Sequence, residues 1–134
     1  MASASLMVVE DNRDIRRALR DLFTLEGFEV EEACNGIDAL ERLDAGAHPS
    51  LIILDLMMPR MDGWEFLRHM QDRPERETPV VVLTSMAYDA DTRGLQERYG
   101  VRVLDKSTEV VRLMEIARAH RDAMGGPFPP YAPT

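Results

Sequence analysis

The chain has 134 residues and a net charge of −8, from 16 basic and 24 acidic side chains. That length gives one domain that can bury roughly two-thirds of its unfolded surface without disulfides or a structural metal. A pI near 4.8 argues against a nucleic-acid-binding face, and 45% hydrophobic with 30% charged residues excludes wholesale disorder.

In chain order, residues 6–9 (Leu-Met-Val-Val) are apolar at every position, as in a strand buried on both faces. Ile15, Ala18, Leu19, Leu22 and Phe23 then form a helical stripe stopped by Gly27. Residues 28–31 (Phe-Glu-Val-Glu) alternate, which suits a half-exposed edge strand. Ile37, Leu40 and Leu43 mark a shorter helix opening after Asn35-Gly36 and ending near Gly46. Residues 51–54 (Leu-Ile-Ile-Leu) are a second fully apolar strand, followed by a helix with Phe66, Leu67 and Met70 that ends before Pro74. Residues 80–83 (Val-Val-Val-Leu) are a third such strand. A weak helical pattern over 89–99 rests on Ala90, Leu95 and Tyr99. Residues 101–104 (Val-Arg-Val-Leu) make the last strand, and Val110, Leu113, Met114 and Ala117 mark a helix over about 108–123. Five strand–helix units imply right-handed crossovers and a doubly wound α/β domain with a parallel sheet.

Two expectations concern the ends of the chain. Residues 1–5 carry no basic segment and the apolar run after them is four residues long, so neither a secretory signal nor a membrane span is read, and a reducing cytoplasm is expected. Residues 125–134 hold four prolines and two glycines and cannot continue a helix. The expected division is a domain over 1–124 and a disordered tail over 125–134.

The polar residues just past each strand carry the chemistry. The strands end in Glu10-Asp11, Asp55, Thr84-Ser85 and Asp105-Lys106. In an open parallel sheet, ligands sit outside the carboxyl ends of the strands, so these residues would share one edge. Glu10, Asp11 and Asp55 could not all stay ionised together without a counter-charge. A hard divalent cation supplies one, and an all-oxygen donor set suits magnesium. Lys106 adds an ammonium and Thr84 a hydroxyl. Together these equip a phosphoryl site with a carboxylate nucleophile. Lys106 is the only lysine among fifteen arginines, and it stands where a compact ammonium serves better than a planar fork.

These segments resemble the receiver domain of two-component response regulators, of the stand-alone chemotaxis-regulator type. The resemblance covers about residues 5–122. It rests on residues 6–11, the run 51–63 (Leu-Ile-Ile-Leu-Asp-Leu-Met-Met-Pro-Arg-Met-Asp-Gly), residues 79–85 and Lys106. It implies a flavodoxin-like strand order 2-1-3-4-5. It implies that Asp55 accepts a phosphoryl group from a histidine kinase or a histidine phosphotransfer protein. Magnesium would be held by Glu10, Asp11, Asp55 and the backbone carbonyl of Met57, and phosphoryl oxygens by Thr84 and Lys106. Pro59, Asp62 and Gly63 would shape the loop into the third helix. The domain would be a signalling module and not an enzyme, switching a surface for an unidentified protein target, with neither nucleic acid nor membrane as partner.

Two departures from the family pattern stand out, and two further residues concern lifetime. Ser107 replaces the proline usual after the lysine, so the Lys106–Ser107 peptide is expected to be trans or strained, since a non-proline cis bond costs roughly 2.5–4 kcal/mol. Ser107 or Thr108 would then cap the last helix. Val103 replaces the aromatic residue whose ring usually reads out activation; Tyr88 and Tyr99 are out of phase with that position. Met57 and Met86 occupy the two positions that, in the family, flank the attacking water. Apolar side chains cannot orient water by hydrogen bonding, so slow autodephosphorylation is expected.

Other residues receive plainer readings. His48, His69 and His120 lack ligand spacing and are expected at the surface; Cys34 is expected to be packed. Met58 and Met61 fill gaps. Trp64 lies partly exposed near the site. Arg13, Arg16, Arg17 and Arg20, interspersed with Asp14 and Asp21, suit a solvated mixed-charge face, although the resemblance implies phosphotransfer docking near this helix. Val110, Val111, Leu113, Met114, Ile116 and Ala117 exceed one stripe, which leaves room for a homodimer through the last helix. Two alternative functions compete: an interaction module that is never phosphorylated, and a magnesium-dependent aspartyl phosphatase. The second is disfavoured because Asp55 lies on the third strand and Met57 holds the position of the second acid.

Overall fold

The computed structural model describes residues 4–87 and 89–123. Strands β1 (Ser5–Val9), β2 (Glu29–Ala33), β3 (Leu51–Leu54), β4 (Val80–Thr84) and β5 (Arg102–Asp105) alternate with helices α1 (Arg13–Leu25), α2 (Gly36–Asp44), α3 (Gly63–Met70), α4 (Ala90–Tyr99) and α5 (Val110–Asp122). A short 3-10 turn, Pro74–Glu77, precedes β4. The sheet is parallel throughout, in the order β2-β1-β3-β4-β5 expected for a flavodoxin-like domain. Among the described residues, no helix is long and apolar enough to cross a membrane.

The pleat divides the apolar strands between two cores. Leu6, Val8, Leu51, Ile53, Val81 and Leu83 face α1 and α5, meeting Leu19, Phe23, Leu113 and Ala117. Met7, Val9, Ile52, Leu54 and Val82 face α2, α3 and α4, meeting Ala39, Leu43, Phe66, Leu67 and Leu95. Each such side chain contributes about 1.5–3 kcal/mol relative to exposure. Phe23 and Phe28 meet edge to face, with ring centroids 5.7 Å apart.

Helix starts follow local chemistry. Asn12, Asn35 and Asp62 cap α1, α2 and α3, each side chain accepting from the amide three residues on. The stripe on α1 is wider than the core needs: Leu19 and Phe23 are buried, while Ala18, Leu22 and Leu25 are exposed. On α4 the buried residues are Leu95 and Thr92, and Ala90 is exposed.

Three expectations are corrected. The Lys106–Ser107 peptide is trans, but neither Ser107 nor Thr108 caps α5, whose first flanking residue is Glu109. Asp105 holds the turn instead. Its Oδ1 accepts from the Ser107 amide at 2.8 Å, the Ser107 hydroxyl at 2.6 Å and the Thr108 amide at 3.1 Å. These bonds hold the Asp105 carboxyl below its ordinary range. Cys34 is exposed, because β2 ends at Ala33 and the chain turns out before α2. His120 is buried, because it lies at helical spacing from the core residues Leu113, Ile116 and Ala117 of α5.

Of the six apolar residues that suggest a pairing surface, Leu113, Met114, Ile116 and Ala117 are in the core. Val110 is half-buried and Val111 is 73% exposed. Tyr88 and the expected tail over 125–134 lie outside the described residues.

Burial favours neutral His120 and lowers its pKa below the ordinary 6.5, against an opposing hydrogen bond with the Ser50 backbone. The unfolded chain therefore takes the proton first as pH falls through 6.5. The stability tied to neutral His120 is complete above that value and is lost on acidification. Urea midpoints at about pH 8 and about pH 5.5 should fall further in the wild type than in His120→Leu. Equal falls would remove His120 from the acid response.

Candidate functional site

Register brings the site together. Val9 pairs with Leu54, and Thr84 with Asp105, so the residues just past these strands emerge at one edge. The Asp55 amide donates to the Val9 carbonyl, the Glu10 amide to the Ala33 carbonyl and the Lys106 amide to the Thr84 carbonyl, each at 3.0 Å. Glu10, Asp55 and Thr84 are buried, and Asp11 is exposed.

Glu10, Asp11 and Asp55 each offer a carboxylate oxygen, all within 4.8 Å of one another. Lys106 reaches between two of them. Its Nζ is bonded to Glu10 Oε1 and lies 3.4 Å from Asp55 Oδ2. The other oxygen of Glu10 accepts from the Asn12 amide at 3.0 Å. Burial pushes the Glu10 carboxyl up to about 7 and the Asp55 charge adds to that, against the opposing bonds from Lys106 and Asn12. Burial alone would lower the Lys106 ammonium, but Glu10 and Asp55 together hold it above its ordinary value. One ammonium, paired with Glu10 and Asp55, thus stands against three clustered carboxylates. The three carboxylates of Glu10, Asp11 and Asp55 offer an all-oxygen donor set that fits magnesium.

The loop after Asp55 accounts for the residues found there. The Gly63 amide donates to the Leu56 carbonyl at 2.9 Å, which folds α3 back onto the end of β3. A Cβ at Gly63 would lie 2.7 Å from the Asp55 carbonyl oxygen and 2.8 Å from Leu56 Cα. Only glycine permits that approach. Arg60 sits in the left-handed region at φ 70°, which costs a non-glycine residue about 1–2 kcal/mol. Pro59 is exposed in the same loop, and Met58 is buried beneath it. Met57 is 56% exposed and Met86 is half-buried. The Thr84 hydroxyl oxygen accepts from the Met86 amide at 3.2 Å, which leaves its hydrogen available for a ligand.

Known proteins decide the family. The family model for the response regulator receiver domain matches residues 6–118. The chain belongs to this family. The receiver is 30% identical over 117 residues to the polar-differentiation response regulator DivK of Brucella ovis, covering 87% of this chain and 94% of DivK. The chain spans 17% to 35% of the length of other curated response regulators that it matches. Among solved structures, the receiver superposes on chemotaxis protein CheY4 of Vibrio cholerae with a TM-score of 0.76, at 28% identity, covering 87% of this chain and 98% of that one. It also superposes on TrrA of Thermotoga maritima, solved in complex with magnesium and beryllium fluoride, with a TM-score of 0.72 at 26% identity, covering 85% and 96%.

Two features of the receiver's site are not apparent from sequence. Asp105 organises the turn behind Lys106, and an acid two residues before a serine is the signal that could have found it. The second is Arg16. It stands in a run that reads as solvated, yet its Nη1 donates to the Glu10 carbonyl at 2.9 Å.

Proposed function

We propose that this receiver is a phosphoacceptor whose nucleophile is Asp55. An Asp55 carboxylate oxygen attacks the phosphorus of a phosphohistidine on a histidine kinase or phosphotransfer protein. The P–O bond forms, the P–N bond breaks, and the imidazole nitrogen leaves with the electron pair. Magnesium, when held there, would supply positive charge for phosphoryl oxygens. Thr84 and Lys106 bind the remaining oxygens, and Glu10, Asp11 and Asp55, with the Met57 carbonyl, would hold the metal. The observation that carries this reading is a buried aspartate at a strand end, sharing one ammonium with a second buried acid.

Lys106 supplies the switch. It is engaged with Glu10 and Asp55, and a phosphoryl group on Asp55 draws it to new oxygens. One to three charge-assisted bonds at about 1.5–3 kcal/mol each reach several kcal/mol. Moving a two-state equilibrium from 1:99 to 99:1 takes about 5.5 kcal/mol. Val103 is half-buried, and its amide donates to the Gln96 side chain of α4 at 3.3 Å. Readout here passes through that link between β5 and α4 in place of an aromatic ring. The exposed Ala18, Leu22 and Leu25 on α1, beside exposed Arg13 and Arg17, suit docking of the phosphotransfer partner.

The test is incubation with magnesium and a small phosphodonor, read by intact mass. One phosphoryl adduct that requires magnesium supports the reading; no adduct points to an interaction module that is never phosphorylated.

A further inference from the structure

Four arginines on α1 look alike in sequence, but Arg16 is set apart. Its side chain is 15% exposed. Nη1 donates to the Glu10 carbonyl at 2.9 Å, and Nε donates to Glu32 Oε1 on β2 at 3.2 Å. Glu32 is itself held, because its second oxygen accepts from Arg20 Nη1 at 3.1 Å. Glu10 is thus tied to β2 twice. Its amide meets the Ala33 carbonyl directly, and its carbonyl meets Glu32 through Arg16.

We propose that Arg16 is a positioning residue for the metal site, fixing the turn from which the Asp11 carboxylate projects. Asp11 lies between two pinned neighbours. On one side Arg16 holds the Glu10 carbonyl. On the other, Asn12 donates its amide to Glu10 Oε2 and caps α1 through Ile15. Asp11 is exposed, so backbone geometry and not packing orients it. The guanidinium serves two acceptors from two different nitrogens of one rigid plane, a separation that a single ammonium nitrogen does not offer. Residues that hold a metal's ligands in place typically change its affinity about 10–100-fold. The inference rests on the magnesium site of the proposed function.

Charge alone gives the opposite sign from positioning. Arg16 is a cation near a cation site, so removing it by simple electrostatics would tighten magnesium binding. Removing Lys106, which competes for Glu10 and Asp55, should tighten it in just that way.

The experiment is calorimetric titration of magnesium into the full chain, with thermal unfolding measured in parallel. Arg16→Met should weaken magnesium binding about tenfold, Arg16→Lys should restore only part of that, and Lys106→Met should strengthen binding. Tighter binding in Arg16→Met would reduce Arg16 to its charge. Unchanged affinity with a lowered Tm would make it a structural residue; either result overturns the proposal. If Arg16→Met does not fold, Glu32→Gln loosens the clamp from its far end. It should weaken magnesium binding more than Glu31→Gln, which makes the same charge change on a glutamate paired with Arg42. Equal effects of those two would also overturn the proposal. A wild type that binds no magnesium would sink the proposed metal site itself, and this role with it. Normal wild-type binding beside an unaffected Arg16→Met sinks only the positioning role.

Discussion

Asp55→Asn abolishes phosphoryl uptake. The substitution keeps the side chain's shape and replaces a charged nucleophile with a neutral amide. It removes one of the two carboxylates beside Lys106, which keeps Glu10 as its partner, and it eases the Glu10 carboxyl, which burial first and the Asp55 charge second push up. Intact mass after incubation with magnesium and a small phosphodonor should show one phosphoryl adduct on the wild type and none on the variant. Circular dichroism and urea midpoints should stay near wild type. An adduct on Asp55→Asn would move the chemistry to another residue. Catalytic turnover of a phosphomonoester by the wild type would favour the phosphatase reading. On the wild type, the adduct should be long-lived, because Met57 and Met86 present no hydrogen-bonding group to an attacking water. A lifetime of seconds would count against that.

Gly63→Ala produces the largest structural effect of any single methyl in this loop. The added carbon meets backbone on two sides, at the Asp55 carbonyl and Leu56 Cα, and neither can turn away as a side chain would. Overpacking against a rigid backbone costs about 1–3 kcal/mol. Each kcal/mol lowers Tm by roughly 4–8 °C in domains of about 60–100 residues and about 2–4 °C in those of about 150–250, and this chain lies between. The strain acts on the peptide just past the acceptor, so phosphoryl uptake should fall as well. A variant with wild-type Tm and wild-type uptake would show that the loop can open at no cost.

The strands and the polar residues ending them are readable because both are written in residue types. A short run that is apolar at every position fits few places besides a strand covered on both faces, and an acid or lysine directly after it is conspicuous. Helix α4 is harder to read, since one of its two buried residues is Thr92, which looks polar. Cys34 and His120 are misplaced by sequence for a related reason: exposure of a single residue near an element end depends on where the chain turns. The Ser107 turn escapes because its capping group comes from Asp105 upstream. Arg16 cannot be distinguished from Arg13, Arg17 and Arg20 by sequence, because its partner in the site is a backbone carbonyl, which no residue letter encodes.

The order of the sheet leaves β2 as one of its two outer strands. Three of its five residues are glutamates, Glu29, Glu31 and Glu32. A sheet edge offers unpaired amides and carbonyls to any extended chain, and charged edge strands suppress that kind of polymerisation. Charged side chains along β2, two of them already engaged by arginines, make that edge a poor template for a further strand. The acidic residues that argue against nucleic acid thus also disfavour a sixth strand at β2.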